Sequence, residues 1–255
     1  MHHHLRAGIP AALVLALAFT AGCGPAGESD GAKKEAATTG ASASPSASAS
    51  PSPSATDNGI AALKPAQIFA RARAATASAR YVRVRGQVED GEKYKIDFRF
   101  EGRTKVTGSL QQRSERAELT VIGKVVYMSG NDRFWRSAGG KGAAQLLSGK
   151  YLKMKTTSAD FRELAAFVNK TTLFDEAVKS GRGWRKEGAG KVGDIPTVVL
   201  SDSAGDKIQI ATQGLPYVLL MEGGREDRLE YVEYGQPVTV QAPPAKSVVD
   251  VPALN

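Results

Sequence analysis

The stretch Lys93-Tyr94-Lys95-Ile96-Asp97-Phe98-Arg99-Phe100-Glu101 decides the fold. Every second residue is aromatic or aliphatic, and every residue between is charged. Side chains alternate across a β-strand, so this pattern belongs to a strand with one sheltered face and one wet face. The preceding stretch alternates as well, with Val82, Val84 and Val88 set against Tyr81, Arg83, Arg85 and Gln87. Asp90-Gly91 joins the two as a hairpin. Val106 and Leu110 continue the pattern, as do Ala117, Leu119 and Val121. Val125 and Tyr127 follow beyond a turn at Gly123-Lys124 and are read on the same apolar face. Asn131-Asp132 reads as another hairpin, leading to Phe134 and Trp135. The whole is an antiparallel meander with one apolar face.

Around this meander the period changes. Pro65 to Ser78 reads as a helix with Pro65 at its first position and Ile68, Phe69 and Ala72 on one face. Gly142 to Leu147 is a short helix candidate. Thr157 with Asp160 resembles a capping box, with Phe161, Leu164, Ala165 and Val168 as the buried stripe behind it. Thr171 to Lys179 is a further helix candidate. Strands resume at Trp184–Glu187, Thr197–Leu200, Lys207–Ala211, Pro216–Glu222 and Arg228–Tyr234. The expected fold class is α+β, a curved antiparallel sheet of about 11 strands with helices covering its concave face.

The N-terminal segment is different material. Arg6 precedes the apolar run Ile9 to Phe19, and Thr20-Ala21-Gly22 leads into Cys23, the one cysteine of the chain. That order is a secretion signal, and its 11-residue apolar core is short for a membrane-spanning helix. In residues 24–58, Ser, Ala, Pro, Gly and Thr fill 28 of 35 positions. Such a segment buries too little apolar surface to offset its ordering entropy, and reads as a tether spanning roughly 30–35 Å as a coil. The expected organisation is therefore 1–23 signal, 24–58 tether and 59–255 one folded domain. That domain carries 31 basic and 22 acidic residues, a net charge of +9.

Composition removes several classes of function. The three histidines are His2, His3 and His4, so no Ser-His-Asp triad, Cys-His pair or histidine metal site falls in the domain. Gly139-Gly140-Lys141-Gly142 lacks the Gly and Ser/Thr positions of a phosphate loop. Asp202 and Asp206 flank a turn without the spacing of a calcium loop. No Gly-x-Ser-x-Gly elbow occurs, and nothing selects a carboxylate pair. No catalytic residue, metal ligand or cofactor is expected, and the chain is not read as an enzyme. Arg71, Arg73, Arg80, Arg83, Arg85, Lys93, Lys95, Arg99, Arg103 and Lys105 are basic, but acidic residues stand among them and no nucleic-acid motif interleaves them. They read as a solvated sheet face that also favours anionic headgroups, with a plain solvated face as the default and no nucleic acid as partner.

Ala21-Gly22-Cys23 resembles the end of a bacterial lipobox, although Thr20 stands where that pattern has Leu. Such a signal implies that the Cys23 thiol receives a diacylglyceryl anchor and that the chain sits on the outer face of the cell membrane. Gly123-Lys124-Val125-Val126-Tyr127-Met128 with Phe134-Trp135, Gly193-Asp194-Ile195-Pro196-Thr197-Val198-Val199-Leu200, Leu215-Pro216-Tyr217 and Tyr234-Gly235-Gln236-Pro237-Val238 resemble the LppX/LprAFG-like lipoproteins of actinobacteria. The resemblance spans 59–255 and implies a half-barrel like that of LolA and LolB, holding acylated lipid or lipoglycan between sheet and helices. Under it the candidate cavity residues are Tyr94, Ile96, Phe98, Phe100, Leu119, Val121, Val125 and Tyr127 on the sheet, with Phe161, Leu164 and Val168 from the lid. The expected partners are that lipid and the membrane, with a membrane transporter admitted and the chain a monomer. Two other readings stay open: a non-carrying envelope sensor or protein-interaction module, and a structural lipoprotein with a closed core.

Overall fold

The computed structural model describes residues 56–250, apart from 91, 163, 179–182 and 225. The signal, Cys23 and the tether up to residue 55 lie outside the described residues. The domain opens with helix α1 (Pro65–Ser78) and runs through β1 (Tyr81–Asp90), β2 (Glu92–Glu101), β3 (Lys105–Gln112), β4 (Glu115–Ile122) and β5 (Val125–Gly130). Helix α2 (Asp132–Leu147), β6 (Tyr151–Lys155) and α3 (Lys170–Ala177) follow. The chain ends in β7 (Arg185–Val192), β8 (Ile195–Ser201), β9 (Lys207–Ala211), β10 (Val218–Gly223), β11 (Asp227–Val232) and β12 (Val248–Asp250).

The strands form one open curved sheet in the order β12-β6-β5-β4-β3-β2-β1-β11-β10-β9-β8-β7. Two meanders of local hairpins meet where β1 pairs with β11, at Val84 opposite Tyr231. All pairs are antiparallel except β12 with β6. This is the expected α+β architecture, with β6 and β12 added. Leu152 and Met154 do alternate with Tyr151, Lys153 and Lys155, but over five residues that signal is weak.

Two expected elements differ. Asn131-Asp132 is not a hairpin: Asn131 caps α2, its side-chain oxygen accepting from the Phe134 amide at 2.9 Å. Asn serves turns and N-caps equally well, so the residue alone does not choose. Phe134 and Trp135 are therefore helical, and the Gly142–Leu147 candidate is the second half of this same helix, beyond a break at Gly139-Gly140. The second difference is the segment from Thr157 to Val168, which is not an α-helix. Amides of Phe161, Arg162, Leu164, Ala165 and Phe167 each bond to the carbonyl three residues back. The Ser158 hydroxyl donates to Lys155 O at 2.6 Å, drawing the chain into a turn where a capping box was expected.

The charged face of the sheet is laced with ion pairs. Arg83 donates to both oxygens of Asp97 at 2.7 and 2.6 Å and to Glu233 at 2.7 Å. Arg99 also donates to Glu233, and Arg85 to Glu230. Lys93 pairs with Glu226. The Arg83 guanidinium, chiefly by hydrogen bonding, holds the Asp97 carboxyl below the usual carboxylate range.

On the apolar face, the Phe98 ring lies beside Gly108, its partner across β2–β3. A Cβ on Gly108 would come within 2.1 Å of Asp97 O and 2.6 Å of the Phe98 ring. The first contact is with backbone, which cannot rotate away. Gly108→Ala should therefore cost about 1–3 kcal/mol, as overpacking does. In a domain of this size that lowers Tm by several degrees, about 2–4 °C per kcal/mol. An unchanged thermal midpoint would show that β3 gives way freely here.

Candidate functional site

The concave face is a continuous apolar surface. Val82 and Val84 of β1, the four alternating residues of β2, Val106 and Leu110 of β3, and Ala117, Leu119 and Val121 of β4 are all buried in one core. Tyr94, Ile96, Phe98, Phe100, Leu119 and Val121 thus come together as the alternation requires, with Phe98 at 0% exposure. Phe161 joins them from the roof, and Leu164 and Val168 pack on the core half-buried.

Val125 and Tyr127 do not join them. Gly123-Lys124 is a two-residue hairpin turn, with Gly123 at φ 62° and Ile122 opposite Val125. Positive φ suits glycine, and the tight turn sets the register. Val121 therefore pairs with Val126, and Leu119 with Met128. The buried residues of β5 are Val126 and Met128, while Val125 and Tyr127 lie half-exposed on the other face. Counting straight through the turn puts the face one residue out; counting the turn as two residues recovers it.

The roof is assembled from short pieces. Helix α2 packs over β4 and β5, with Phe134, Trp135, Ala138, Ala143, Ala144 and Leu147 buried. Helix α1 lies against β10, where Thr76 Oγ accepts from the Val218 amide at 3.1 Å. Helix α3 rests on α1, tied by Arg73 to Asp175 at 2.6 and 2.5 Å. Over β2 the cover is the turn segment, whose Phe167 ring lies 5.8 Å from that of Tyr94. Sequence reasoning missed Trp135, Phe134 and Phe167 as roof residues. The apolar pair three residues after an Asn cap was the available signal for the first two.

Two buried donors inside this interior, Trp135 Nε1 and Tyr231 Oη, have no acceptor among the described residues. A third polar group stands at one end of the face. Lys170 is 4% exposed and donates to the carbonyl of Ala79, where α1 ends. Burial pushes its ammonium below the ordinary lysine range, and the charge of Arg103 pushes the same way.

No family model and no curated protein sequence matches the chain. Among solved structures it is similar to LprF from Mycobacterium bovis, 13% identical over 69% of this chain and 95% of that one, with a TM-score of 0.45. It is also similar to lipoprotein LppX from Mycobacterium tuberculosis, 14% identical over 73% of this chain and 100% of that one, with a TM-score of 0.42. The group resembled in sequence is thus met again in structure. At these values the likeness carries nothing about a ligand.

Lys170 makes a pH-dependent statement. A lysine with a lowered folded pKa binds fewer protons in the folded than in the unfolded state, so stability rises with pH between the two values. The penalty is fully present below the folded pKa and is relieved as pH climbs toward the ordinary lysine value of about 10.4. Measured against Lys170→Met, the wild type should gain relative stability between neutral pH and that limit. A stability difference that stays flat across this range would remove Lys170 from the account.

Proposed function

We propose that the chain is a lipid-anchored envelope lipoprotein that holds acylated lipid or lipoglycan against the concave face of its sheet. The observation that carries the reading is the pairing of an unbroken apolar face with a roof built of separable pieces. A closed structural core needs neither the glycine break in α2 nor a cover of three-residue turns over β2. Segments held by single turns lack the backbone ladder of a helix, and lids are drawn from segments that open locally. Lifting the turn segment would uncover Tyr94, Ile96 and Phe98 to an acyl chain. An ester group brings acceptors of the kind that Trp135 Nε1 and Tyr231 Oη lack. The +9 domain, the signal ending at Cys23 and the tether support a setting outside the cytoplasm on the membrane surface. The reading gives the chain carriage and no catalysis.

Anchoring and carriage are tested separately. Cys23→Ala should release the protein from the membrane fraction or leave it unprocessed; unchanged mature mass and partition would end the anchor. For carriage, organic extracts of protein purified from its native host should contain a stoichiometric acylated lipid by mass spectrometry. Val121 is 6% exposed between Val106 and Val126 and supplies the second measurement. Val121→Trp should lower the bound lipid with little change in Tm if the face receives a ligand. In a permanently packed core it costs about 1–3 kcal/mol of stability. Loss of stability in the variant together with no lipid in the wild type would decide for the closed core.

A further inference from the structure

We infer that the rim formed by the start of β1, the β2–β3 turn, the β4–β5 turn and the end of β6 is a docking surface for an anionic lipid membrane. The sheet register brings these together. Antiparallel strands put Arg80 before β1, Arg103 between β2 and β3, Lys124 between β4 and β5 and Lys155 at the end of β6 along one edge. All four are exposed, and none has a carboxylate partner among the described residues. Of the carboxylates along this edge, Glu101 is held by Lys105 at 3.3 Å, Asp194 by Lys191 at 3.4 Å, and Asp57 by the Gly59 amide. Elsewhere the cations of the sheet are mostly paired. At the opposite rim Arg113 holds Glu92, Arg136 holds Asp132 and Lys93 holds Glu226. This rim thus carries a row of four exposed cations, none paired with a carboxylate among the described residues.

Two further observations place a membrane at this end. First, the chain joins the domain here. Asp57 bridges Gln213, and the Asn58 side-chain amide donates to Ala211 O and Gly214 O, at the loop between β9 and β10. That loop lies on the same rim, because β9 ends and β10 begins there. A tether running from Cys23 therefore meets the rim that carries the free cations. Second, the loop presents Leu215 at 59% exposure, the one large apolar side chain so exposed among the described residues. It stands beside Tyr217 and Tyr234, whose rings stack at 3.9 Å. An apolar tip on the same rim as these cations suits the boundary between headgroups and acyl chains. Each Lys or Arg at an anionic surface adds about 1 kcal/mol, roughly fivefold in partition. The docking surface rests on the anchored-carrier reading for its biological setting, and it turns the Lys170 end of the apolar face toward the bilayer.

The test is hydrogen–deuterium exchange of the full mature chain, read by mass spectrometry. The protein is placed on vesicles of phosphatidylcholine alone and of phosphatidylcholine with phosphatidylglycerol. On the anionic vesicles, uptake should slow in peptides covering 101–105, 123–125 and 212–217 and stay unchanged at 113–116 and 202–206. Raised salt should remove the protection, as should the combined variant Arg103→Glu, Lys124→Glu, Lys155→Glu, whose side chains hold no partner that the fold needs. Protection at the opposite rim, equal protection on neutral vesicles, or none on either would overturn the inference. Intact mass of the same sample reports whether Cys23 carries acyl groups. A bare Cys23 with rim protection ends the anchor and leaves the docking surface standing; an acylated Cys23 without rim protection does the reverse.

Discussion

Pairing of β1 with β11 is the contact on which the rest of the structure depends. Every other antiparallel pair but β5 with β6 joins strands next to one another in sequence, and such hairpins form locally. The β1–β11 ladder instead joins residues near 84 to residues near 231, and it alone makes one sheet out of two meanders. Loop closure over that distance is costly, so the junction must be well supported. It is supported on both faces. On the charged face Arg83 reaches Asp97 in the same meander and Glu233 in the other, and Arg85 reaches Glu230. On the apolar face Val84 and Tyr231 are buried beside each other. Gly86 completes the junction: a Cβ there would lie 1.9 Å from Arg228 O, so the two backbones meet closely only because none is present.

This junction also sets where a roof is needed. A twelve-stranded sheet with one apolar face curls, and the concave side it creates must be kept from water. Fully burying one side chain such as Phe98 is worth about 1.5–3 kcal/mol, which a loose cover would forfeit. Helix α2 covers this face at β4 and β5 and α1 at β10, with α3 resting on α1. Its centre is left to side chains from the turn segment. The least regular part of the roof therefore stands over the most regular strand of the sheet.

What could be read from residues follows the strength of each periodic signal. The β2 stretch alternates over nine residues, and its register and buried face were legible. So were the bounds of α1, because Pro65 opens it and its alanines favour the helix. Errors arose where one residue serves two structures. Asn131 caps a helix as readily as it turns a chain, and Val125 changes face once the two turn residues are counted. The stripe at Phe161, Leu164 and Val168 does pack on the core but not as an α-helix, since apolar residues three or four apart fit successive turns as well. The exposed ends of the strands carried no periodic signal at all. Their arrangement is a property of topology: Arg80, Arg103, Lys124 and Lys155 are far apart in the chain and become neighbours along one edge only after the strands are ordered.

Charge pairing then separates two kinds of basic residue that composition lumps together. Arg83, Arg85, Lys93 and Arg99 look like a cationic surface in sequence, yet each faces a carboxylate across a strand pair or turn. Their role is to hold the sheet, and exposed pairs of this kind are worth little beyond that. Arg80, Arg103, Lys124 and Lys155, at the strand ends, have no such partner among the described residues. A mutually paired face presents little net field to a partner, whereas an unpaired row along an edge presents one there. The buried Lys170 lies toward the same end, within reach of the Arg103 charge and bonded to a carbonyl. Within the fold Lys170 satisfies a carbonyl left open at the end of α1, while Arg103 at the same end faces water.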